Sequence, residues 1–218
     1  MPAYFRQLID PSSTAMTYLL ADPVSRRALL IDPHPAHETL IDALLAERGF
    51  ELCHVLHTHS HLLPVDRLLP ARPLTTETRV HFGAESLRAI ATPGHTTHCA
   101  SFLWRDRLFC GDALEICGAP GAPTSPREPC SDPGLLFDSL RRRILTLPDE
   151  TLLFPGHAHD GRTVSTVAEE RRRNPCLATG ARDAFVAAHA AARPPEHRHA
   201  TAQAISMDSL THPRKESS

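Results

Sequence analysis

An α/β domain is the fold class this sequence predicts, on three observations. Apolar runs of strand length recur between turn residues along the chain, segments with helical apolar spacing interrupt them, and histidines or an aspartate stand just past several of the runs. Ligating side chains on loops at strand ends, held by a rigid sheet, are where α/β proteins place their chemistry.

The elements follow in order. Residues 4–8, 16–21 and 27–31 are apolar or aromatic runs separated by Asp10-Pro11-Ser12-Ser13 and Asp22-Pro23, which predicts a hairpin or meander. After Asp32-Pro33 the period changes. Leu40, Ile41, Leu44 and Leu45 predict a helix over 36–48 with Gly49 as its C-terminal cap. Residues 52–56 resume strand character and lead into His57-Thr58-His59-Ser60-His61. Two further strands are expected near 79–82 and 87–92, and 99–104 with 107–110 reads as a hairpin ending at Gly111-Asp112. A loop rich in Pro and Gly covers 118–133. Asp132-Pro133 then starts a helix with Leu136, Phe137, Leu140 and Ile144 as its buried stripe and Pro148 as its stop. A last strand at 151–154 precedes Pro155-Gly156-His157. Thr166 and Glu169 have capping-box spacing for a helix that ends near Asn174-Pro175, and 184–192 is again helical. Residues 1–192 are read as one domain and 193–218 as a polar, loose tail.

The composition narrows the class. The 218 residues are 41% hydrophobic and 22% charged, ordinary globular values, and the net charge of −2 gives no electrostatic reason for a nucleic-acid partner. Arginines cluster at Arg141–Arg143 and Arg171–Arg173, each read as a solvated helix face. No apolar run approaches membrane-spanning length and the first residues lack a basic-then-apolar leader, so a soluble, cytoplasmic protein is expected. Six cysteines without a C-x-x-C pair are read as buried or free thiols, with Cys117 and Cys130 nearest the expected cleft. Of the fifteen histidines, His34, His37, His189, His197, His199 and His212 are read as surface or tail residues.

In an extended chain residues two apart share a side, so His59 and His61 can aim two imidazoles at one point beyond a strand. Two histidines leave a divalent ion short of ligands and charge, and the rest must come from distant sequence. His95, after the turn of Pro93-Gly94, and Asp112, after Gly111, likewise stand just past strands, as does His157 after Pro155-Gly156. His57 alternates onto the same side but lies within the strand, as a buried or pocket-lining residue.

Thr58-His59-Ser60-His61, then Pro93-Gly94-His95-Thr96, then Gly111-Asp112, then Gly156-His157: this order resembles the metallo-β-lactamase superfamily. Within it the chain is most similar to the persulfide (sulfur) dioxygenases, relatives of glyoxalase II. The resemblance runs from about Tyr4 to Asn174, and its most specific parts are Phe109-Cys110-Gly111-Asp112-Ala113-Leu114 and Thr163-Val164-Ser165-Thr166-Val167, followed by Glu169-Glu170-Arg171 and Asn174-Pro175. It implies an αβ/βα sandwich, two mixed sheets flanked by helices, somewhat truncated. It also implies His59, His95 and Asp112 as ligands of one Fe(II) per chain, which leaves positions for a substrate sulfur and O2. The same ligands would also suit zinc in a hydrolase.

Several departures accompany it. The superfamily motif continues with an Asp and a His where this chain has Leu63 and Pro64, so a second metal site is broken although His157 matches one of its ligands. Asp66 is read as a solvated loop residue. His61 either ligates or hydrogen-bonds to a ligand. The family's G-R-T-D is replaced by Gly121-Ala122-Pro123-Thr124, its H-D-Y by His157-Ala158-His159, with His159 as a polar pocket group, and the segment between His61 and His95 is short. His98 and Cys99 are read as packing or rim residues. The expectation is an enzyme that oxidises a low-molecular-weight persulfide, such as glutathione persulfide, to sulfite and thiol. A zinc-dependent thioester hydrolase and a non-catalytic member that binds a thiol or a partner protein are the alternatives. Its partners are then a small thiol or persulfide and O2, with no nucleic acid and no membrane, and a homodimer is left open.

Overall fold

The structure is a computed structural model in which residues 3–59, 78–116, 132–158, 161–178 and 180–191 are described. The segment after His59, the 118–131 part of the Pro/Gly loop and the tail from 193 lie outside the described residues, as do His61, Leu63, Pro64, Asp66, Cys117, Cys130 and His159.

Two sheets stack face to face. The first has the order β1-β2-β3-β4, built from β1 (Tyr4–Ile9), β2 (Met16–Asp22), β3 (Arg27–Ile31) and β4 (Glu51–Leu56). β1, β2 and β3 form the expected antiparallel meander, and β4 lies parallel to β3 after the crossover helix α1 (Glu38–Arg48). The second sheet has the order β10-β9-β8-β7-β6-β5, from β5 (Arg79–Phe82), β6 (Glu85–Ala91), β7 (Ala100–Trp104), β8 (Arg107–Gly111), β9 (Leu152–Pro155) and the short β10 (Ser165–Thr166). It is antiparallel except where β8 and β9 run parallel, so both sheets are mixed.

Side-chain alternation explains why the strands read as continuous apolar runs. In β2, Tyr18 and Leu20 face the second sheet while Leu19 and Ala21 face α1. In β8, Phe109 faces the first sheet while Leu108 and Cys110 face the helices beyond. Both faces of both sheets are thus covered, giving the α, β, β, α layering expected of the sandwich. The inner layer is aromatic: Tyr18 and Phe109 lie 4.9 Å apart by ring centroid, Phe109 and Phe154 5.4 Å, and Phe5 and Phe154 5.2 Å.

The helices start and stop where the caps direct. Gly49 takes the left-handed conformation (φ 60°), and Phe50 N donates to Leu45 O, which ends α1. Asp132 accepts from Leu135 N at the start of α2 (Pro133–Ser139). From Leu140 to Ile144 that helix widens into a π-helical turn, with Leu145 N donating to Leu140 O. Its last carbonyls are gripped by Arg171, whose Nε donates to Leu145 O at 3.1 Å. This arginine is therefore a clamp between helices rather than only a solvated charge. Thr166 caps α3 (Val167–Arg173) through Glu169 N, but the Glu169 carboxylate turns to Arg162 and Arg173 instead of closing a capping box. The short β10 before α3 and α4 (Pro175–Ala178) after it are elements the sequence pattern missed, and α5 (Arg182–Ala191) begins two residues earlier than its apolar spacing suggests.

His37 corrects its surface assignment. It is buried, and its Nδ1 lies 3.0 Å from Thr17 Oγ1, tying the turn before α1 to β2. Cys99 and Cys110 are buried, and burial pushes both thiols up, as it does the half-buried Cys53 and Cys176, in keeping with unreactive thiols. Among the described residues no helix is long and apolar enough to cross a membrane.

Phe109→Ala removes the centre of the inter-sheet cluster and should cost about 3–5 kcal/mol. Equilibrium denaturation would read this as a lowered midpoint at unchanged slope. Val24→Ala, on an exposed turn (75% exposed), should stay within about 0.5 kcal/mol of the parent.

Candidate metal centre

The site lies where strands end. His59 follows the C-terminal end of β4, His95 that of β6, Asp112 that of β8 and His157 that of β9. β6, β8 and β9 run the same way in one sheet, so their C-terminal ends share an edge, and β4 of the other sheet is stitched against it by Ala100 N to Thr58 O at 2.8 Å. On the far side Met16 N donates to Gly156 O at 2.8 Å, and Tyr18 Oη donates to Pro155 O at 2.5 Å. The two sheets are pinned together at the level of the site.

His59, His95 and Asp112 converge there and could hold a metal ion: their ligand atoms all lie within 4.8 Å of one another. Asp112 Oδ2 is 3.2 Å from His59 Nε2 and 3.9 Å from His95 Nε2, and the two rings cross at 83°. Ligands held about 2.0–2.2 Å from one ion at tetrahedral or right angles are about 3.0–3.5 Å apart; the His59–Asp112 pair has that spacing, and His95 stands farther out and would be drawn in by a shared ion. His157 approaches from the other oxygen, Nδ1 to Asp112 Oδ1 at 3.1 Å, and so orients the carboxylate. Burial pushes Asp112 up, but the hydrogen bond from His157, joined by His59 whenever its Nε2 carries a proton, outweighs it and holds the carboxyl well below the usual range.

The backbone must come unusually close for this. A Cβ at Gly156 would lie 2.1 Å from Asp112 Oδ1, and one at Gly111 (φ 54°) would lie 2.2 Å from Thr58 Oγ1. Both places require glycine, one for space and one for conformation as well.

Thr58 links His59 to a half-buried carboxylate that sequence reading passed over. Asp32, where the sequence marks only a change of period after Asp32-Pro33, accepts from Thr58 N (to Oδ1) and Thr58 Oγ1 (to Oδ2), both at 2.7 Å. Thr58 Oγ1 also lies 3.0 Å from His59 Nδ1. With its one proton given to Asp32, the hydroxyl can only accept from Nδ1–H, so the lone pair of His59 sits on Nε2, the nitrogen facing Asp112. Two acceptors then stand 3.2 Å apart, and buried Oδ2 has no hydrogen-bond partner of good geometry among the described residues. A cation between them resolves this, and the donor set of two imidazoles and a carboxylate fits one. A run of polar residues at two strand ends, Asp32 and Thr58, was the available sequence signal.

His57 lies just past β4 rather than within it; it is half-buried near Asp32 and outside the converging group. His98 is exposed, and Cys99 is buried and accepts from Thr96 N at 3.2 Å.

No family model matches the chain. It is 37% identical over 201 residues to the persulfide dioxygenase ETHE1, mitochondrial, of Mus musculus, and 36% identical over 198 residues to that of Homo sapiens; each match covers 81% of this chain and 76% of the relative. The hydroxyacylglutathione hydrolase-like protein of Mus musculus is 32% identical over 185 residues, with 68% of this chain and 62% of that protein covered. Among solved structures, ETHE1 from Myxococcus xanthus superposes with a TM-score of 0.74 at 34% identity, over 88% of this chain and 92% of that one. A metallo-β-lactamase from Staphylococcus aureus reaches 0.72 at 20% identity, over 88% and 68%, a likeness of fold.

Thr58→Val keeps the shape of the side chain and removes the relay to Asp32. It should destabilise the fold by about 1–3 kcal/mol through the unsatisfied half-buried carboxylate and lower metal affinity about 10–100-fold. Competitive metal titration with a chelator reads the second effect, and Thr58→Ser should restore most of it.

Proposed function

The chain belongs to the persulfide dioxygenase family of the metallo-β-lactamase superfamily, and on that footing we propose that it oxidises a low-molecular-weight persulfide, such as glutathione persulfide, to sulfite and thiol with O2. His59, His95 and Asp112 would hold one Fe(II) per chain. The observation that carries the reading is this set of two imidazoles and one carboxylate, next to a chain in which Leu63 and Pro64 occupy the positions of two ligands to a second metal. Iron in such a site supplies redox chemistry and adjacent open positions for a sulfur and O2.

The remaining contributions come from the protein. One O2 and one water per persulfide provide the three oxygens of sulfite, and the carrier leaves as its thiol with release of two protons. Asp32, through Thr58, keeps the proton of His59 on Nδ1 and its lone pair on Nε2. His157 holds Asp112 by one oxygen so that the other faces the histidines. Burial of His95 and Asp112 against Ala113 and Leu114 limits water at the reacting sulfur and favours oxidation of bound substrate over side reactions.

The zinc hydrolase reading has one observation behind it, the 32% likeness to a hydroxyacylglutathione hydrolase-like protein. Leu63 and Pro64 count against it, because a two-metal hydrolase needs the Asp and His they replace.

Protein loaded anaerobically with iron should bind about one iron per chain and consume O2 with glutathione or cysteine persulfide, forming one sulfite per O2. His95→Ala should lose the metal and fall to background. The zinc-loaded parent should be inert in this assay, and thioester hydrolysis by it, without O2 uptake by the iron form, would favour the second reading instead.

A further inference from the structure

Beside His95 and Asp112 the packing leaves a space of about 40 Å³, open solvent excluded. One water needs about 10–15 Å³ by the same measure, so a molecule of two or three heavy atoms fits and a chain does not. The walls are core: Leu114, Leu136, Leu140, Leu177 and Phe185 line it, none more than 5% exposed. His59, which comes from the other sheet, is not among the lining residues. Four further polar residues touch the space, and each is engaged within the protein. Asn174 Nδ2 donates to Glu115 O and Glu170 Oε2 while its Oδ1 accepts from Cys176 N. The His189 ring stacks on Phe185 at 4.1 Å with Nδ1 3.0 Å from Phe185 O. Neither Glu115 nor Cys176 is without a partner. A trapped water needs two to four polar partners, and these walls are poor in them.

Two features keep the space from closing. α2 is already in tight contact with the His95 loop: a Cβ at Gly94 would lie 2.2 Å from Leu136 N, and Asp132 N and Ser139 Oγ bond to the carbonyls of Gly94 and Pro93. At Leu140, one of the lining residues, the helix widens into its π-helical turn, a rare irregularity that recurs at functional sites. Unfilled volume in a core costs stability and ordinarily collapses. Here the backbone on one side is fixed.

We propose that this space is an O2 subsite, which receives the dissolved gas through the apolar wall of α2, α4 and α5 and holds it against His95 and Asp112. The proposal rests on the dioxygenase reading above and adds where its second substrate is kept. O2 has two atoms, no charge and no need of a hydrogen bond, so it leaves water for an apolar space without loss, as xenon does. A persulfide is excluded by size and, when ionised, by the cost of stripping its water among leucines.

The first test needs no turnover. O2 is paramagnetic, so in the zinc-loaded full chain under O2 pressure, with N2 as the blank, methyl relaxation should be enhanced at Leu136, Leu140 and Leu177 above that at Leu20 and Leu29. The latter two are fully buried between the sheets and away from the space. Enhancement no greater at the first set than at the second overturns the proposal. The second test fills the space in the iron-loaded enzyme. Leu177→Phe, and the milder Cys176→Phe at a half-buried position, should raise the KM for O2 about fivefold, the scale set by a void of this volume, and leave the KM for persulfide where it is. An unchanged KM for O2, or an equal rise in both constants, overturns the proposal. If the leucine methyls respond to O2 while no persulfide supports O2 uptake, the dioxygenase reading fails and the gas site stands.

Discussion

A carboxylate nine-tenths buried is tolerable only if its surroundings replace the water it has lost, and Asp112 sets that demand on the whole molecule. Its two oxygens are served differently. One accepts from His157, which comes from the parallel neighbour β9, and the other faces the two imidazoles carried by β4 and β6. Four strand ends from two sheets must therefore meet within a few ångströms. Glycines at 111 and 156 make the approach sterically possible, and the inter-sheet bonds of Met16, Tyr18 and Ala100 keep it fixed.

The same demand explains why Asp32 is drawn half out of water. It lies in the left-handed region (φ 49°), which short polar residues tolerate, at the end of β3 next to β4. From there it takes both the backbone N–H and the hydroxyl of Thr58. Burial pushes its pKa up against these bonds, a cost the fold bears to hold one histidine in one tautomer. The site is thus specified one layer behind the residues that face the ion, and short loops anchored to rigid sheet ends define its geometry.

Helices serve the site less directly. α2 is anchored to the loop of His95 by Asp132 N to Gly94 O and by Ser139 Oγ to Pro93 O. α3 and α4 hold the segment after Asp112 through Asn174, whose Nδ2 joins Glu115 O to buried Glu170. These contacts tie α2, α3 and α4 to the segments that carry His95 and Asp112.

Much of this was legible in the chain itself. The apolar runs of β1 to β3, the capped helices and the four short motifs around His59, His95, Asp112 and His157 are local patterns, and local propensity together with turn chemistry suffices to read them. Residues such as His37, Asp32 and Arg171 were not legible. A buried histidine, a half-buried carboxylate and an arginine clamping helix carbonyls look, in one dimension, like a surface group, a turn and a solvated charge. The sequence by itself determined which residues stand at strand ends, because that depends on neighbours a few positions away. Only the tertiary structure decided which of those ends meet and which nitrogen of His59 is left for a metal. Those outcomes depend on how two sheets, far apart in the chain, press their edges together.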